Sequence, residues 1–487
     1  MKAKTIIAAA LAVLLTACGN TPTNEKKAAC EPSIFPDYSG VTIPADIAPM
    51  NFDVRGGADR IDLTIKGSRG GTLHQNAGCV DIPLDEWHEL LRQNRGARID
   101  FSLAVRRSGE WTRYRSFTMH VSDAPIGDWG LTYRRIAPSY VNYNRMGIYQ
   151  RCLANFDEKP IIENTMVPGS CVNCHTANRT NPRQFTFHVR GPHGATLIQN
   201  GGQREWLTTT TDSTLAACVY PYWHPTGRYV AFSTNVTRQD FHSVRGERIE
   251  VLDLKSDLQV YDVQRHSLLL SPLLKTANLE TYPAFSPDGK WLYFCSAKSK
   301  PVPAGYKQIR YNLCRIAFDA ATGRFGSKVD TIFNAARLGL SATLPRPSYD
   351  GRYIMFCTAS YGCFPIWHEE SDLWMLNLAT MKAAPMKAVN SRRAESFHNW
   401  SSNSRWFVFT SRRGDGLYTC LYMASIGRDG KPTKPFLLPQ RHPWSYYDGL
   451  RTSYNTPDFT SAPVQFDARA AGKETASDER KQVKVRK

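Results

Sequence analysis

The chain has 487 residues, 42% of them hydrophobic and 21% charged, so it can bury a large core and is expected to split into two or three domains. Its formal net charge of +18 indicates an acidic partner, such as an anionic lipid or lipopolysaccharide surface, an acidic redox protein or another polyanion. Nucleic acid is not expected, because the basic residues are scattered except in the final "KQVKVRK" and no nucleic-acid-binding motif is present.

The first twenty residues predict export from the cytoplasm. Lys2 and Lys4 precede an apolar run over residues 6–15, which is too short to span a membrane and ends in Leu15-Thr16-Ala17-Cys18. This ending resembles the lipobox of bacterial lipoproteins, which implies that residues 1–17 are a signal peptide and that Cys18 is lipidated and anchors the protein in a membrane. Gly19 at the next position favours the outer membrane by the same resemblance, on either face. An ordinary signal peptide with a nearby cysteine is the alternative.

The segments that follow predict a tether and then a β-rich domain. Residues 18–45 begin with small, polar and charged side chains, which is typical of a flexible tether. Residues 46–137 predict a small β-sandwich, because "RIDLTI", "RIDFSLAV" and "WTRYRSFTMHV" alternate apolar and polar side chains. One amphipathic helix is expected over residues 84–94. Its apolar face would contain Leu84, Trp87, His88 and Leu91.

Residues 138–182 predict an irregular connector. They are rich in Asn, Tyr and Pro and lead to "GSCVNCHTANRTNP", in which Cys171, Cys174 and His175 have the spacing C-x-x-C-H.

The second half of the chain contains an internal repeat. Four segments align without gaps: "YPYWHPTGRYVAFS" from Tyr220, "YPAFSPDGKWLYFC" from Tyr282, "LPRPSYDGRYIMFC" from Leu344 and "FHNWSSNSRWFVFT" from Phe397. Each predicts a strand, a tight turn and a strand, with another strand-like run downstream. About four short antiparallel strands per repeat form one blade of a β-propeller, and blades must close in a ring to bury both faces.

The segment "PAFSPDGKWLYF" resembles the blade signature of TolB-like six-bladed propellers, and the resemblance covers residues 183–460. Tyr349 and the triplet Ser402-Asn403-Ser404 depart from its turn pattern. A hairpin over residues 185–198 and a closing strand within residues 444–460 would supplement the four clear repeats. The predicted fold is therefore all-β, with a five- or six-bladed TolB-like propeller over 183–460 and a basic, disordered tail over 461–487.

The C-x-x-C-H spacing predicts one covalently attached haem c. The thiols of Cys171 and Cys174 would bond the porphyrin vinyl groups, and the adjacent His175 would be the proximal ligand of the iron. A closed zinc site would need a fourth protein ligand, a redox disulfide would need a thioredoxin-like βαβ context, and a structural disulfide between these cysteines would close a strained ring. The all-β pattern does not offer the βαβ context, so a metal site, a structural disulfide and an accidental match remain as alternatives.

The second iron ligand is less constrained by the sequence. His188 is the first candidate and Met166 the next, with His193 and Met146 also nearby in the chain. A filled sixth position would favour electron transfer, whereas an open one would allow a small molecule to react.

The other cysteines and a further histidine have structural explanations. Cys295 and Cys314 lie in neighbouring strands of one repeat and could form a disulfide, although packing in the core is expected for most of the remaining cysteines. His398 occupies a position where other repeats carry proline, and is expected either as a turn residue or as a side chain directed to the propeller channel.

Taken together, these features resemble a group of envelope lipoproteins in which one c-type haem motif precedes a TolB-like propeller, often labelled cytochrome c biogenesis proteins. The first hypothesis is a lipid-anchored haem protein for electron transfer or redox sensing, with the propeller as a protein-docking platform. The second is a haem-dependent redox enzyme with a small substrate near the propeller. The third is an envelope adaptor without redox function. No hydrolase or nucleotide-binding motif is present, so these two functions are not supported. Whether the protein is an enzyme of another kind stays open, because a fold does not determine a function.

Overall fold

The computed structural model of the protein describes residues 21–138, 144–244 and 247–486. Cys18 and the predicted signal peptide lie outside the described residues. The described chain is nearly all-β and divides into two compact units. The first unit contains the described residues up to Ile126 together with Leu153–Phe156 and Thr433–Leu450, and the second contains the remainder. None of the described helices combines the length and the apolar character needed to cross a membrane.

The strands before residue 127 are β1 (Lys26–Lys27), β2 (Ile34–Phe35), β3 (Thr42–Ile43), β4 (Asp53–Val54), β5 (Arg60–Gly67), β6 (Thr72–Ala77), β7 (Ala97–Arg107), β8 (Glu110–Arg113) and β9 (Phe117–Val121). The next strands are β10 (Gly130–Ile136), β11 (Gly147–Cys152), β12 (Glu158–Glu163), β13 (Cys171–Ala177), β14 (Gln184–Arg190), β15 (Ala195–Asn200) and β16 (Gln203–Thr208).

The strands between residues 209 and 340 are β17 (Cys218–Trp223), β18 (Tyr229–Val244), β19 (Glu247–Asp262), β20 (Ser267–Leu269), β21 (Leu279–Phe285), β22 (Trp291–Ala297), β23 (Asn312–Asp319) and β24 (Arg324–Phe333). The last strands are β25 (Ser341–Pro347), β26 (Tyr353–Ala359), β27 (Asp372–Asn377), β28 (Lys382–Pro385), β29 (Glu395–Trp400), β30 (Trp406–Ser411), β31 (Cys420–Ser425), β32 (Phe436–Leu437), β33 (Ser453–Thr460), β34 (Lys481–Gln482) and β35 (Lys484–Arg486).

The described α-helices are α1 (Leu84–Gln93), α2 (Pro443–Asp448) and α3 (Ala468–Ala476). Short 3-10 helices cover Asn164–Met166, Tyr306–Gln308, Ala336–Leu338 and Pro365–Trp367.

The first unit contains one seven-stranded sheet with β7 at its centre. Strands β5, β8 and β9 all pair with β7, and α1 confirms the helix predicted from the amphipathic pattern. The buried face of α1 contains Trp87, Leu90 and Leu91, whereas Leu84 at the helix start is exposed. Apart from the pairing of β2 with β4, no second sheet is recorded in the part of this unit that the structure describes, so the sandwich stays a prediction.

The second unit consists of consecutive antiparallel sheets in a propeller-like arrangement. One sheet has the order β33-β10-β11-β12, the next contains β13 to β16, and further runs are β17 to β20, β21 to β24, β25 to β28 and β29 to β31. Strand β33 is thus the strand of the first sheet that comes from the far end of the chain. The predicted closing strand within residues 444–460 corresponds to β33.

The first strands of these sheets contact one another in sequence. On β33, the Asp458 carboxylate accepts hydrogen bonds from the backbone N–H of Ala177 on β13, at 3.3 Å, and from the side chain of Asn399 on β29. The rings of Tyr220 and Tyr282 join β17 to β21 with centroids 4.6 Å apart. The indole of Trp400 on β29 donates to a backbone carbonyl on β25 at 3.0 Å. Strand β13 also contacts β17, and β21 contacts β25, so the contacts return to the strand from which they start.

Every one of these first strands contains the same irregularity. A residue with positive φ interrupts the ladder in each strand, and the register shifts at that point. These six residues, called here the bulge residues, are Cys174, Tyr220, Tyr282, Leu344, Phe397 and Thr456. Bulges of this kind re-aim side chains, and they are common next to functional sites.

Three segments are more ordered than the sequence predicts. The tether over residues 18–45 includes buried Tyr38 and Val41, because part of it pairs with the sheet of the first unit. The irregular connector over 138–182 contains strands β11 to β13. The tail over 461–487 is not disordered: it forms α3, and β34 and β35 extend the sheets of β16 and β20. Strand pairing supplies the order that the polar composition did not indicate.

A disulfide between Cys295 and Cys314 is contradicted by the register of β22 and β23. Cys295 lies opposite Leu313, and Cys314 lies opposite Phe294, so the two thiols are on opposite faces of the sheet. They belong to different hydrophobic clusters. Packing in the core, expected for most cysteines, agrees with the burial of Cys152, Cys218, Cys295, Cys314, Cys357 and Cys363.

Candidate functional site

A cavity of about 460 Å³ lies in the second unit where the first strands converge. All six bulge residues line it, so each sheet contributes at least one side chain or backbone segment to its wall. Its volume is within the range of small-ligand sites in proteins. The repeat geometry therefore builds one shared site.

The C-x-x-C-H motif lies on β13 at the wall of this cavity. Cys171, Cys174 and His175 all line it, and both cysteines are half-buried. Cys174 is a bulge residue with φ of +51°. In a regular strand, residues three apart point to opposite faces. The bulge interrupts this alternation, so the side chains of Cys171 and Cys174 can border the same cavity.

His175 is buried and neutral. Neither of its ring nitrogens makes a hydrogen bond of good geometry in the part of the chain that the structure describes, although the Thr132 backbone lies close enough to interact with the ring. Burial is the main cause that lowers the pKa of the imidazole from its usual 6.5 to about 3; the positive charges of Arg134 and Arg346 act in the same direction, and an interaction with the Thr132 backbone opposes them. The neutral imidazole is the form that binds metals.

His188 lines the same cavity from the neighbouring strand. It lies opposite Asn173 in the pairing of β14 with β13, and its Nδ1 is 3.0 Å from the hydroxyl oxygen of Thr196. Burial and the charge of Arg190 lower its pKa to about 3. Its Nε2 is the ring nitrogen that this contact does not use.

The other candidates for the second iron ligand lie elsewhere. Met166 is in a 3-10 helix, is 37% exposed and does not line the cavity. The sulfur of Met146 accepts a hydrogen bond from the backbone N–H of Val172 at 3.3 Å, on the core side of β13. His193 pairs with Asp478 at 3.0 Å near the surface. Of these residues, the cavity brings only His188 to the motif.

His398 is equivalent to His175 in its own strand, since each follows a bulge residue. Four of the six bulge residues are followed by proline. His398 is buried, with Nδ1 3.7 Å from the Cys357 sulfur, and it does not line the cavity. The position after the bulge can thus be purely structural, which is the alternative explanation for His175.

Several cavity residues were not identified from the sequence. Three arginines, Arg134, Arg190 and Arg346, come from β10, β14 and β25. The Arg134 guanidinium donates to the side-chain oxygen of Asn173. These arginines lie far apart in the chain and form no local motif. Only Arg346 could have been found from the repeats, because it lies two residues after Leu344, in a strand that borders the cavity.

A buried polar network lies next to the aromatic wall of the cavity. The hydroxyl of Tyr311 donates to Asp253 at 3.0 Å, and the Asn235 amide donates to the other oxygen of Asp253 at 3.0 Å. Burial raises the pKa of Asp253 and raises those of Tyr220 and Tyr282 above their usual 10. The two tyrosines therefore stay protonated at neutral pH and present hydroxyl groups rather than charges.

These side chains are chemically compatible with a c-type haem. The cavity combines two thiols at the required spacing, a neutral histidine adjacent to the second thiol, and guanidinium groups able to pair with carboxylates. The neighbouring His188 offers a second imidazole. Among the described residues, no group of three or more His, Cys, Asp and Glu side chains forms a metal cluster.

No family model and no curated protein matches the chain. Solved structures are similar at low identity. Hydrazine synthase of Kuenenia stuttgartiensis is 11% identical with a TM-score of 0.45, and the match covers 71% of this chain and 50% of that one. A GH74 enzyme of Niastella koreensis is 12% identical with a TM-score of 0.40, covering 62% and 44%. Oligogalacturonate lyase in complex with manganese is 11% identical with a TM-score of 0.31, covering 64% and 98%.

The chain thus spans about half the length of the hydrazine synthase chain. The functional assignment rests on the site residues.

Proposed function

We propose that the protein carries one covalent haem c in the cavity and acts in electron transfer or redox sensing. Cys171 and Cys174 would form the thioether bonds, and His175 would be the proximal iron ligand. The observation that carries the proposal is that the whole C-x-x-C-H motif lines a cavity, with a buried and neutral His175 whose ring nitrogens make no hydrogen bond of good geometry among the described residues. Leaving buried nitrogens unsatisfied costs free energy, which coordination would offset.

The attached haem would supply one-electron redox chemistry. His188 is the preferred second ligand because it lines the cavity, whereas Met166 does not. The surrounding chain would keep His175 neutral by burial and would shield the group from bulk water. Two axial protein ligands favour an electron carrier over a catalyst that binds substrate at the iron.

The finer fold assignment belongs to the same proposal. Six equivalent bulge residues around one cavity support a TolB-like propeller of six blades, closed by β33. Its outer surface would be the docking platform for a protein partner, an acidic one given the net charge of +18. Lipidation at Cys18 would hold the protein in the bacterial envelope, at the outer membrane.

Two further functions remain as alternatives. A haem-dependent redox enzyme would need an open sixth iron position where a small substrate binds, and the exposed residues at the edge of the cavity, such as Gln239, would give the substrate access. An envelope adaptor without redox function is favoured by the equivalence of His175 and His398, because a histidine after the bulge can be structural.

Visible spectra of protein produced with its export sequence, in a bacterium that matures c-type cytochromes, test the proposal. After acid-acetone extraction, the wild-type polypeptide should keep its haem, and the double variant Cys171→Ala/Cys174→Ala should lose all of it. The variant Cys314→Ala is the matched control, since this buried cysteine packs in the core away from the cavity. It should keep the haem.

A wild-type polypeptide without haem after extraction would refute the proposal and leave the adaptor. Carbon monoxide then separates the two redox functions. A reduced, low-spin spectrum that carbon monoxide does not change supports electron transfer, whereas a shifted spectrum supports the enzyme.

A further inference from the structure

The charged side chains that line the cavity all have the same sign. Arg134, Arg190 and Arg346 reach it from three different sheets, and no aspartate or glutamate is among the described residues of its wall. The remaining polar groups of the wall are neutral, since His175 and His188 are uncharged at pH 7 and the tyrosines are protonated. A cavity with three guanidinium groups and neutral polar groups is electropositive.

The Asp458 carboxylate lies close to Arg346 without lining the cavity. Asp458 is fully buried on β33, and the charge of Arg346 opposes the burial that raises its pKa to about 6. At pH 7 it offsets part of the charge of Arg346. The Arg346 guanidinium also lies over the Tyr222 ring at 5.2 Å, which leaves its edge available for a planar partner.

The positions of the arginines also suit an entering ligand. Arg190 and Gln239 are exposed at the edge of the cavity, whereas Arg346 is partly buried among the bulge residues. A ligand would therefore meet an exposed arginine first and reach a buried one further in. Guanidinium groups bind carboxylates through two parallel hydrogen bonds, and these bonds are stronger away from water.

We propose that Arg134, Arg190 and Arg346 form a binding site for small anions with two or more carboxylates. Each guanidinium can hold one carboxylate through two parallel hydrogen bonds, so three arginines around one cavity match a ligand with several carboxylates better than a ligand with one. These carboxylates have two possible sources. One is the pair of propionates of an attached haem, which rests on the proposed function, and the other is a free organic polycarboxylate.

The first experiment removes the haem from the question. The double variant Cys171→Ala/Cys174→Ala is titrated with citrate by isothermal calorimetry at pH 7.5 and low ionic strength. Binding to one site is expected, and it should weaken with added salt. Arg190→Gln and Arg346→Gln in this background should each weaken it about tenfold or more, because each removes a charge-assisted contact.

Arg352→Gln is the matched control, because this exposed arginine pairs with Asp350 on a surface turn and should leave citrate affinity unchanged. Circular dichroism shows whether each variant is folded, and the exposed Arg190 keeps the test valid if Arg346→Gln does not fold. The absence of citrate binding, or equal binding by the arginine variants, overturns the site.

The second experiment identifies the source. Citrate is titrated into wild-type protein with haem attached. Loss of citrate binding in this form assigns the arginines to the propionates, and retained binding assigns them to a free polycarboxylate. A wild-type chain that attaches no haem refutes the proposed function, while the citrate result on the double variant still decides the anion site.

Discussion

At the scale of single residues, the buried histidines determine how stability depends on acid. Burial and the nearby charge of Arg346 lower the pKa of His398 to about 3, although backbone groups of Met355 and Leu344 oppose the shift. In the unfolded chain the imidazole of His398 is protonated below about pH 6.5, whereas in the folded chain it is protonated only below about pH 3. His398 therefore favours folding above pH 6.5, and this contribution is lost as the pH falls from 6.5 towards 3.

The variant His398→Gln tests this dependence. Between pH 7 and pH 5 the wild-type free energy of unfolding should fall by about 2 kcal/mol on account of His398 alone, following 1.36 kcal/mol per unit below 6.5. The variant should show a fall smaller by that amount in urea unfolding at each pH. His442→Gln, at an exposed position, should behave as wild type. Equal pH dependence in His398→Gln and wild type would contradict the assignment.

Only some of the residues that line the cavity could be predicted from the sequence, for physical reasons. Local spacing identifies Cys171, Cys174 and His175, because haem attachment needs three residues close together in the chain. The three arginines are separated from one another by more than fifty residues in the chain, and they meet only in the fold. A single sequence contains no motif that predicts such long-range contacts. Likewise, the position of Cys295 and Cys314 in neighbouring strands suggests a disulfide. In the observed register the two cysteines are offset by one residue, so their side chains lie on opposite faces of the sheet.

At the scale of elements, the long hairpin of β18 and β19 extends beyond its sheet and borders the cavity through Thr237 and Val251. A buried ion pair holds it: Nε2 of His368 is 3.2 Å from a carboxylate oxygen of Glu250 on β19. On the other side, Nδ1 of His368 is 3.5 Å from Glu370. These carboxylates outweigh burial and raise the pKa of His368 to about 9.

The variant Glu250→Gln tests this attachment of the hairpin. A pKa raised from 6.5 to about 9 stabilises the fold fully below pH 6.5, and the stabilisation is lost as the pH rises through 9. Wild type should lose up to about 3 kcal/mol of unfolding free energy between pH 6.5 and pH 9.5. Glu250→Gln should be less stable at pH 6.5 and lose much less on going to pH 9.5.

Glu369→Gln is the matched control for this variant, because Glu369 is partly exposed and pairs with Arg393 instead. It should follow the wild-type profile in the same urea experiments. If Glu250→Gln lost as much unfolding free energy between pH 6.5 and pH 9.5 as the wild type does, the ion pair between His368 and Glu250 would not be the cause of that loss.

The elements themselves were largely predictable. The four aligned repeats begin at Tyr220, Tyr282, Leu344 and Phe397, and these residues are the bulge residues of their strands. The equivalents Cys174 and Thr456 are not found by the alignment, because their strands lack the aromatic run that the four repeats share. A bulge is set by backbone conformation, so a search by side-chain similarity finds it only where the side chains also repeat. For the bulge in β33, the one feature visible in the sequence is the proline that follows Thr456, as in three of the aligned repeats.

At the scale of the whole molecule, the charge of the chain and the charge of its cavity point in the same direction. The net charge of +18 would favour encounter with the proposed acidic partners at the surface, and the arginines would extend this preference to the small anions proposed for the cavity. Both preferences should weaken with salt, although the partly buried arginines are screened less than surface charges.

Closure of the propeller-like unit depends on the far end of the chain. Strand β33 pairs with β10, and its Asp458 connects to Ala177 on one side and Asn399 on the other. Removing β33 would leave the edge of β10 and the core around it open to water. By contrast, β34 and β35 pair at outer edges with β16 and β20, and bury little beyond Val483. The two ends of the tail should therefore differ greatly in importance.

Two truncations separate these contributions. Deletion of residues 478–487 removes β34 and β35 and should lower the unfolding temperature by several degrees while keeping one cooperative transition for this unit. Deletion of residues 453–487 removes α3 and β33 as well. It should abolish cooperative unfolding and expose hydrophobic surface to a fluorescent dye, because the loss of an inner strand and its buried hydrogen bonds opens the core to water. Differential scanning calorimetry measures both. A cooperative transition in the longer deletion would show that the ring of strands is stable without β33, and the closure described for this unit would not be what holds it together.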